Sequence, residues 1–168
     1  RDVSGRLMAH LRYPENLFKV QRELLAKTIA SAGQFFSGED FWQTPVDPTE
    51  SATAQQQGVP QPPYYLSLQT GVEEAVFSLT SSYIPAGTST REILTGFLSV
   101  DSDAGNEKGV IGPNYGTIRL QELPKDSNFP AGQAQNNFNA NADVSKELNL
   151  LESGSTKVNR GNLLTLPL

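Results

Sequence analysis

Residues 64–69, Tyr-Tyr-Leu-Ser-Leu-Gln, and residues 77–83, Phe-Ser-Leu-Thr-Ser-Ser-Tyr, decide the fold because apolar side chains recur in them with a period of two. This period places alternate side chains on opposite faces of a β-strand. Gly71 lies between the two runs and can take the backbone conformations that a chain reversal needs. The two runs therefore predict an antiparallel hairpin.

A helix is predicted before the hairpin, from residue 14 to about residue 29. Pro14 suits the first helical position, and Gly33 provides a stop signal. Burying a large apolar side chain contributes roughly 1.5–3 kcal/mol, so we expect the apolar face of this helix to pack on the sheet. The residues expected to be buried in the helix and the hairpin are Leu17, Val20, Leu24, Leu66, Phe77 and Leu79.

The later segments predict further strands and a second helix. The capping-box pattern of Ser89 and Glu92 favours a helix over residues 93–100, whereas the apolar run in the second half of that segment favours a strand there. A strand is predicted over 115–123, a loop or the fringe of a helix over 133–141, and a final strand over 158–166. Asp143 is expected to cap a short helix that ends at Gly154.

These elements predict an α+β fold with a mainly antiparallel sheet of four to five strands. The N-terminal helix and the shorter C-terminal helix are expected to pack on that sheet. Residues 1–168 are expected to form a single domain or domain fragment, because the first helix has too little apolar surface to form a core alone. The Pro- and Gln-rich stretch 43–63 is then a long surface loop within the domain.

Composition excludes several classes of function. The chain has 168 residues and a net charge of −5, which does not suit a surface that neutralises a phosphate backbone, so no nucleic-acid partner is expected. It contains no cysteine, which excludes disulfides, zinc–thiolate sites and thiol nucleophiles. No cofactor is expected. No run approaches the ~18 apolar residues that a membrane-spanning helix needs.

Three groups of residues are candidates for a functional site. His10 is the one histidine of the chain, but no serine nucleophile motif accompanies it, so we expect a surface or packing role. Asp101 and Asp103 form a weak candidate for a divalent cation, because the Asp-rich turn offers carboxylate oxygens without the glycine and glutamate of an EF-hand loop.

The third candidate is the aromatic cluster Phe35, Phe36, Phe41 and Trp42, which surrounds Glu39 and Asp40. Such a cluster can act as a stacking platform for a glycan or a peptide. We favour the alternative, in which the aromatic side chains anchor the helix to the sheet. Two adjacent carboxylates cannot be assigned as a glycosidase pair from the sequence.

Several segments together resemble an uncharacterised family of large bacterial multi-pass membrane proteins, uncharacterised protein family 0182. They include Leu-Arg-Tyr-Pro-Glu-Asn-Leu-Phe-Lys-Val-Gln-Arg (11–22), Phe-Phe-Ser-Gly-Glu-Asp-Phe-Trp (35–42), Pro-Pro-Tyr-Tyr-Leu (62–66), Phe-Ser-Leu-Thr-Ser-Ser-Tyr-Ile-Pro (77–85), Tyr-Gly-Thr-Ile-Arg-Leu-Gln-Glu-Leu-Pro (115–124) and Arg-Gly-Asn-Leu-Leu-Thr-Leu-Pro (160–167). The resemblance implies a parent protein in the bacterial cell membrane, of which this chain is a part outside the cytoplasm. It implies no activity and transfers no functional residues.

The expected function is therefore a non-catalytic interaction or structural module. Its partners are expected to be the remainder of the parent membrane protein and possible protein or cell-envelope partners, with membrane contact only through spans outside this chain. Two alternatives stay open, a part of a carboxylate-based hydrolase and the ligand-handling domain of a transporter. Two convergent buried carboxylates would favour the hydrolase, an enclosed pocket the transporter, and a surface with apolar edges the module.

Overall fold

The computed structural model describes residues 2–28, 41–47, 58–69, 74–87, 93–124 and 133–153, with residues 156, 158 and 164–166. Its helices and strands follow the order α1 (Gly5–Met8), α2 (Glu15–Thr28), β1 (Trp42–Gln43), β2 (Tyr64–Leu68), β3 (Val76–Pro85), β4 (Gly96–Asp101), β5 (Ile118–Glu122), α3 (Gln133–Ala140) and α4 (Ala142–Leu151). The predicted α+β class is confirmed.

The sheet is antiparallel throughout the described strands. Its order is β1-β3-β4-β5, and β2 pairs with the first half of β3, so that β1 and β2 lie along the same side of β3. In the predicted hairpin Tyr65 is paired with Leu79. The second half of the ambiguous segment 93–100 is strand β4, and the strand predicted over 115–123 is the shorter β5.

The ends of the predicted loop 43–63 are held together. The N–H of Asp47 donates to the carbonyl oxygen of Val59 at 3.0 Å, and the N–H of Gln61 donates to that of Pro45 at 2.8 Å. These two bonds flank an isolated antiparallel bridge between Val46 and Pro60. The stretch is therefore closed at its base by backbone pairing, and its middle, residues 48–57, lies outside the described residues.

The core lies between α2 and one face of the sheet. Its buried residues are Tyr13, Phe18, Ala26, Trp42, Leu79, Tyr83, Leu98 and Val100. The opposite face of the two central strands is also buried although it is polar, with Ser78, Thr80 and Ser82 on β3 and Ser99 and Asp101 on β4. The alternation that predicted these strands therefore does not separate a buried face from an exposed one.

The prediction that Leu17, Val20 and Leu24 of the helix are buried is wrong. Leu17, Val20 and Leu24 are 47 %, 59 % and 63 % exposed, while Leu66 and Phe77 are half-buried and Leu79 is fully buried as expected. Helix α2 instead packs through Phe18, Arg22 and Ala26, which lie four residues apart on one face. The physical reason is that Arg22 is buried with hydrogen-bond partners, which fixes the rotation of the helix.

The C-terminal helix is present, but its cap differs from the prediction. The side chain of Asn141, two residues before Asp143, accepts hydrogen bonds from the N–H groups of Asp143 and Val144, so the prediction of Asp143 as the cap was wrong. Residues 133–140, predicted as a loop or the fringe of a helix, form α3. Helix α4 contains no buried residue and contacts α3, so α2 provides the main helical cover of the sheet. The final strand predicted over 158–166 lies mostly outside the described residues, and the described residues 164–166 are not in a strand.

Candidate interaction surface

The buried face of α2 is fixed to the sheet by Arg22. Its Nη1 donates hydrogen bonds to the carbonyl oxygen of Gln61 at 2.8 Å and to the Oγ of Ser81 at 3.2 Å. The hydroxyl of Tyr83 donates to the carbonyl oxygen of Arg22 at 2.6 Å. One residue of the helix therefore binds both strand β3 and the segment that leads into β2.

Burial changes the electrostatics of this contact. Loss of solvent is the main reason that the pKa of Arg22 is lower than its ordinary value, and the nearby carboxylate of Glu23 opposes that shift. Burial also raises the pKa of Tyr83 above its ordinary value. Because a guanidinium ordinarily loses its proton only far above neutral pH, Arg22 is buried as a cation. A buried cation costs free energy unless its donors are bonded, so the hydrogen bonds to Gln61 and Ser81 hold the helix in one orientation.

The opposite face of α2 carries Leu17, Val20 and Leu24, which we call the outer stripe. Their spacing of three and four residues aligns them along one side of the helix. Each side chain is about half or more exposed. The salt bridge from Lys19 Nζ to Glu15 Oε1, at 2.5 Å, lies on the same helix and joins two partly exposed side chains. The exposed side of α2 therefore combines a row of large apolar residues with charges of both signs.

A second apolar feature is a groove of about 460 Å³ beside the N-terminal segment, which we call the N-terminal groove. Its apolar walls include Val3, Met8, Leu11, Ile111 and Tyr115, and Asp2 and Arg12 also line it. Met8 is buried, whereas Leu11 and Ile111 are exposed. The groove is therefore open to solvent and mainly apolar.

The structure separates the roles of the two candidate cation ligands. Arg119 Nη1 donates to Asp101 Oδ1 in an ion pair, and Asp101 Oδ2 is buried with no hydrogen-bond partner among the described residues. Asp103 is exposed, and its Oδ1 accepts from the N–H of Gly105 at 2.9 Å. Within the described ranges, no group of three or more His, Cys, Asp or Glu residues could hold a metal ion. A cation at Asp101 and Asp103 stays a prediction, with Arg119 already balancing the charge of Asp101.

His10 is exposed just after α1. Trp42 packs on Tyr83, with ring centroids 5.5 Å apart, and a Cβ added at Gly96 would lie 2.1 Å from the indole ring. Trp42 therefore packs within the sheet and belongs to the same core cluster as Phe18 of α2, whereas anchoring of the helix by the rest of the aromatic cluster stays a prediction. Phe35, Phe36, Glu39 and Asp40 lie outside the described residues.

Sequence reasoning missed Arg22 and the contact between Trp42 and Gly96. A signal for Arg22 is present in hindsight, because Phe18, Arg22 and Ala26 recur every four residues. Because an arginine is rarely fully buried without a partner, a helix face that contains one is ordinarily expected to face solvent. The Trp42 contact joins residues 54 positions apart, and no local pattern indicates it.

The chain is similar in sequence to an uncharacterised family of bacterial proteins. The model of an uncharacterised protein family, UPF0182, matches residues 1–151. A UPF0182 protein of Bifidobacterium adolescentis is 81 % identical over 99 % of this chain, and one of Bifidobacterium longum is 78 % identical over the same share. A UPF0182 protein of Paenarthrobacter aurescens is 53 % identical. No solved structure matches the chain.

The relatives are much longer than this chain. The chain covers 16 % of each Bifidobacterium protein and 17 % of the Paenarthrobacter protein, or about one sixth of their length. Among the described residues, no helix has both the length and the apolar character needed to cross a membrane.

Proposed function

The chain belongs to the uncharacterised protein family UPF0182, and on that premise we propose that it is a non-catalytic interaction module within a longer protein. The outer stripe of α2 is the surface through which the module binds another part of the same polypeptide. The observation that carries this proposal is the exposure of Leu17, Val20 and Leu24 on a helix whose other face is already anchored.

A row of exposed apolar side chains differs from the scattered ones that every protein surface carries. Single exposed apolar residues are normal, but contiguous apolar patches mark interaction sites. A helix buried on one face by Phe18 and Ala26 and apolar on the other fits a helix that packs between two layers. The two strands that contact α2, β1 and β3, carry the core residues Trp42, Leu79 and Tyr83 and lie on its buried side.

The length of the relatives favours a partner within the same polypeptide. Five sixths of a relative's length lies outside the region that matches this chain. A partner on the same chain has a high effective concentration, so a small contact surface docks more stably than it would between separate molecules. A lipid surface suits the stripe less well, because the chain has a net charge of −5 and the stripe's helix carries Glu15 and Glu23 beside its lysines.

We further propose that the parent protein is a multi-pass protein of the bacterial cell membrane and that this module lies outside the cytoplasm. The support for this location is the family resemblance of the sequence segments quoted above. The absence of cysteine from the 168 residues makes the location open to a direct chemical test.

The test uses single cysteines in the intact parent protein, with each label assigned to its site by peptide mass mapping. Val20→Cys lies in the outer stripe, and the matched control Lys108→Cys lies at an exposed position outside α2. With a membrane-impermeant maleimide on whole cells, we expect Lys108→Cys to be labelled and Val20→Cys to be protected at least about tenfold, the factor that 1.4 kcal/mol of docking free energy gives.

The two parts of the proposal fail separately in this test. If Lys108→Cys reacts only after the cells are lysed, the location outside the cytoplasm is wrong. If both cysteines react at equal rates in the intact protein after lysis, the outer stripe is not a docking surface.

The N-terminal groove bears on the transporter alternative, but it is open to solvent and is not the enclosed pocket that would favour a ligand-handling domain. Its volume of about 460 Å³ lies within the range of small-molecule sites, ~300–1,000 Å³, and its walls are mainly apolar with Arg12 and Asp2 as polar groups. The hydrolase alternative needs two convergent carboxylates. Glu39 and Asp40, the pair considered from the sequence, lie outside the described residues, so no contact in the structure favours that alternative.

A further inference from the structure

Strand β5 forms one edge of the sheet. It pairs with β4 on one side, and no described strand pairs with its other side. The N–H of Asp101 donates to Thr117 at 3.0 Å, and the N–H of Leu123 donates to Thr95 at 2.8 Å, so the odd-numbered residues of this segment bond towards β4. By the alternation of an antiparallel ladder, the N–H and C=O groups of Ile118, Leu120 and Glu122 point away from β4.

Strand β5 carries two apolar side chains that are little protected. Ile118 and Leu120 are 36 % and 38 % exposed and lie on the same face as the core residues Val100 and Leu98, with which they are paired. Natural edge strands are usually blunted by lysine, proline or an inward-pointing charge. The five residues contain neither lysine nor proline; the guanidinium of Arg119 is engaged with Asp101, and the one further charge is Glu122 at the end of the strand.

We propose that the outer edge of β5 receives an extended segment of the same polypeptide from outside these 168 residues, which adds a strand to the sheet. The segment bonds to the outward backbone groups of Ile118, Leu120 and Glu122 and covers Ile118 and Leu120 with apolar side chains. This is β-strand addition, in which backbone hydrogen bonds supply affinity and alternate side chains supply specificity.

Two observations favour this occupant over a second copy of the chain. The first is length, because the relatives carry about five times as much sequence outside this region as within it. A ladder of five residues binds weakly between separate molecules, whereas a tether on the same chain raises its effective concentration to millimolar levels. The second is charge, since two copies that each carry a net charge of −5 repel one another.

The inference shares with the proposed function only the premise that the partner is the rest of the parent protein. It concerns a different surface, the edge of β5 rather than the outer stripe of α2. Labelling of Val20→Cys reports on α2 alone, so each idea can fail while the other stands.

The test is hydrogen exchange of backbone amides in the intact parent protein, read at single-residue resolution by electron-transfer fragmentation. The amides of Arg119 and Gln121 bond towards β4 and serve as the internal reference for an ordered strand. We expect the amides of Ile118, Leu120 and Glu122 to exchange about as slowly as these references, at any protein concentration.

Two results would overturn the proposal. Alternating protection, with slow exchange at 119 and 121 and fast exchange at 118, 120 and 122, means that the edge is free. Protection of the outward amides that is lost on tenfold dilution means that a second copy of the protein covers the edge.

A pair of variants tests the same contact through stability. Leu120→Pro and Leu120→Ala both truncate the side chain, but only proline removes the outward N–H group. In the intact protein, Leu120→Pro is expected to lower the unfolding midpoint several degrees further than Leu120→Ala does. Equal midpoints for the two variants would show that this N–H group has no partner.

Discussion

Replacing Phe18 by alanine is expected to lower the free energy of unfolding of the 168-residue chain by about 3–5 kcal/mol. Phe18 is fully buried in the core between α2 and the sheet. Its removal loses the transfer free energy of a large aromatic side chain and leaves a cavity that the fixed position of Arg22 keeps from closing. Chemical denaturation, followed by far-ultraviolet circular dichroism, measures the effect.

The neighbouring variant Leu17→Ala is the matched control for Phe18→Ala. Leu17 is adjacent in sequence but lies in the outer stripe, and exposed substitutions usually change the free energy of unfolding by no more than ~0.5 kcal/mol. A larger loss for Leu17→Ala than for Phe18→Ala would mean that the helix is rotated as the sequence pattern predicted.

Replacing Gly96 by valine is expected to destabilise the chain by about 3 kcal/mol, because the core has no room for a side chain there. A Cβ at this position would lie 2.1 Å and 2.7 Å from the Cζ3 and Cη2 atoms of Trp42. The indole ring is also packed on Tyr83, so it cannot move away without disrupting the contact of β1 with β3.

The fluorescence of Trp42 reports the local effect of Gly96→Val, since the chain contains a single tryptophan. Displacement of the ring into solvent is expected to shift its emission to longer wavelength in the folded protein. Gly112→Ala is the control, because a Cβ at Gly112 would meet only ordinary contacts, the nearest at 3.7 Å. An unchanged emission spectrum and unchanged stability for Gly96→Val would contradict the packing of Trp42 on β4.

The strands could be predicted from the sequence because their signals are local. The alternation at 64–69 and 77–83 corresponds to β2 and β3, and the antiparallel pairing follows from the short distance between them along the chain. The extent of α2 could be predicted for the same reason. What these patterns report is the period of the side chains, which is a property of each element alone.

The rotation of α2 could not be predicted, because it depends on partners far away in the sequence. Leu17, Val20 and Leu24 are more hydrophobic than Phe18, Arg22 and Ala26 taken together, so amphipathicity selects the wrong face. Arg22 is buried because Gln61 and Ser81, 39 and 59 residues away, accept its hydrogen bonds. The exposure of the outer stripe is therefore a property of the tertiary structure that the helical pattern alone does not indicate.

The same limit applies to the candidate cation turn. Asp101 and Asp103 are two residues apart in sequence and look equivalent as oxygen ligands. In the structure Asp101 is the end of a buried strand and is paired with Arg119 on β5, whereas Asp103 accepts a hydrogen bond from the N–H of Gly105 in the same loop. The ion pair with Arg119 on the neighbouring strand distinguishes Asp101 from Asp103, and the spacing of residues along the sequence does not predict it.

The central claim, that the outer stripe docks on the rest of the polypeptide, is tested most directly by Leu17→Ala measured in two proteins. In the 168-residue chain, the unfolding midpoint is expected to stay within about 2 °C of the original. In the intact parent protein, truncating a docked leucine is expected to cost about 2–5 kcal/mol and to lower the midpoint by several degrees. Asn16→Ala, at an exposed polar position of the same helix, should have no such effect in either protein. If Leu17→Ala leaves the unfolding midpoint of the intact protein as unchanged as Asn16→Ala does, that result would contradict the account.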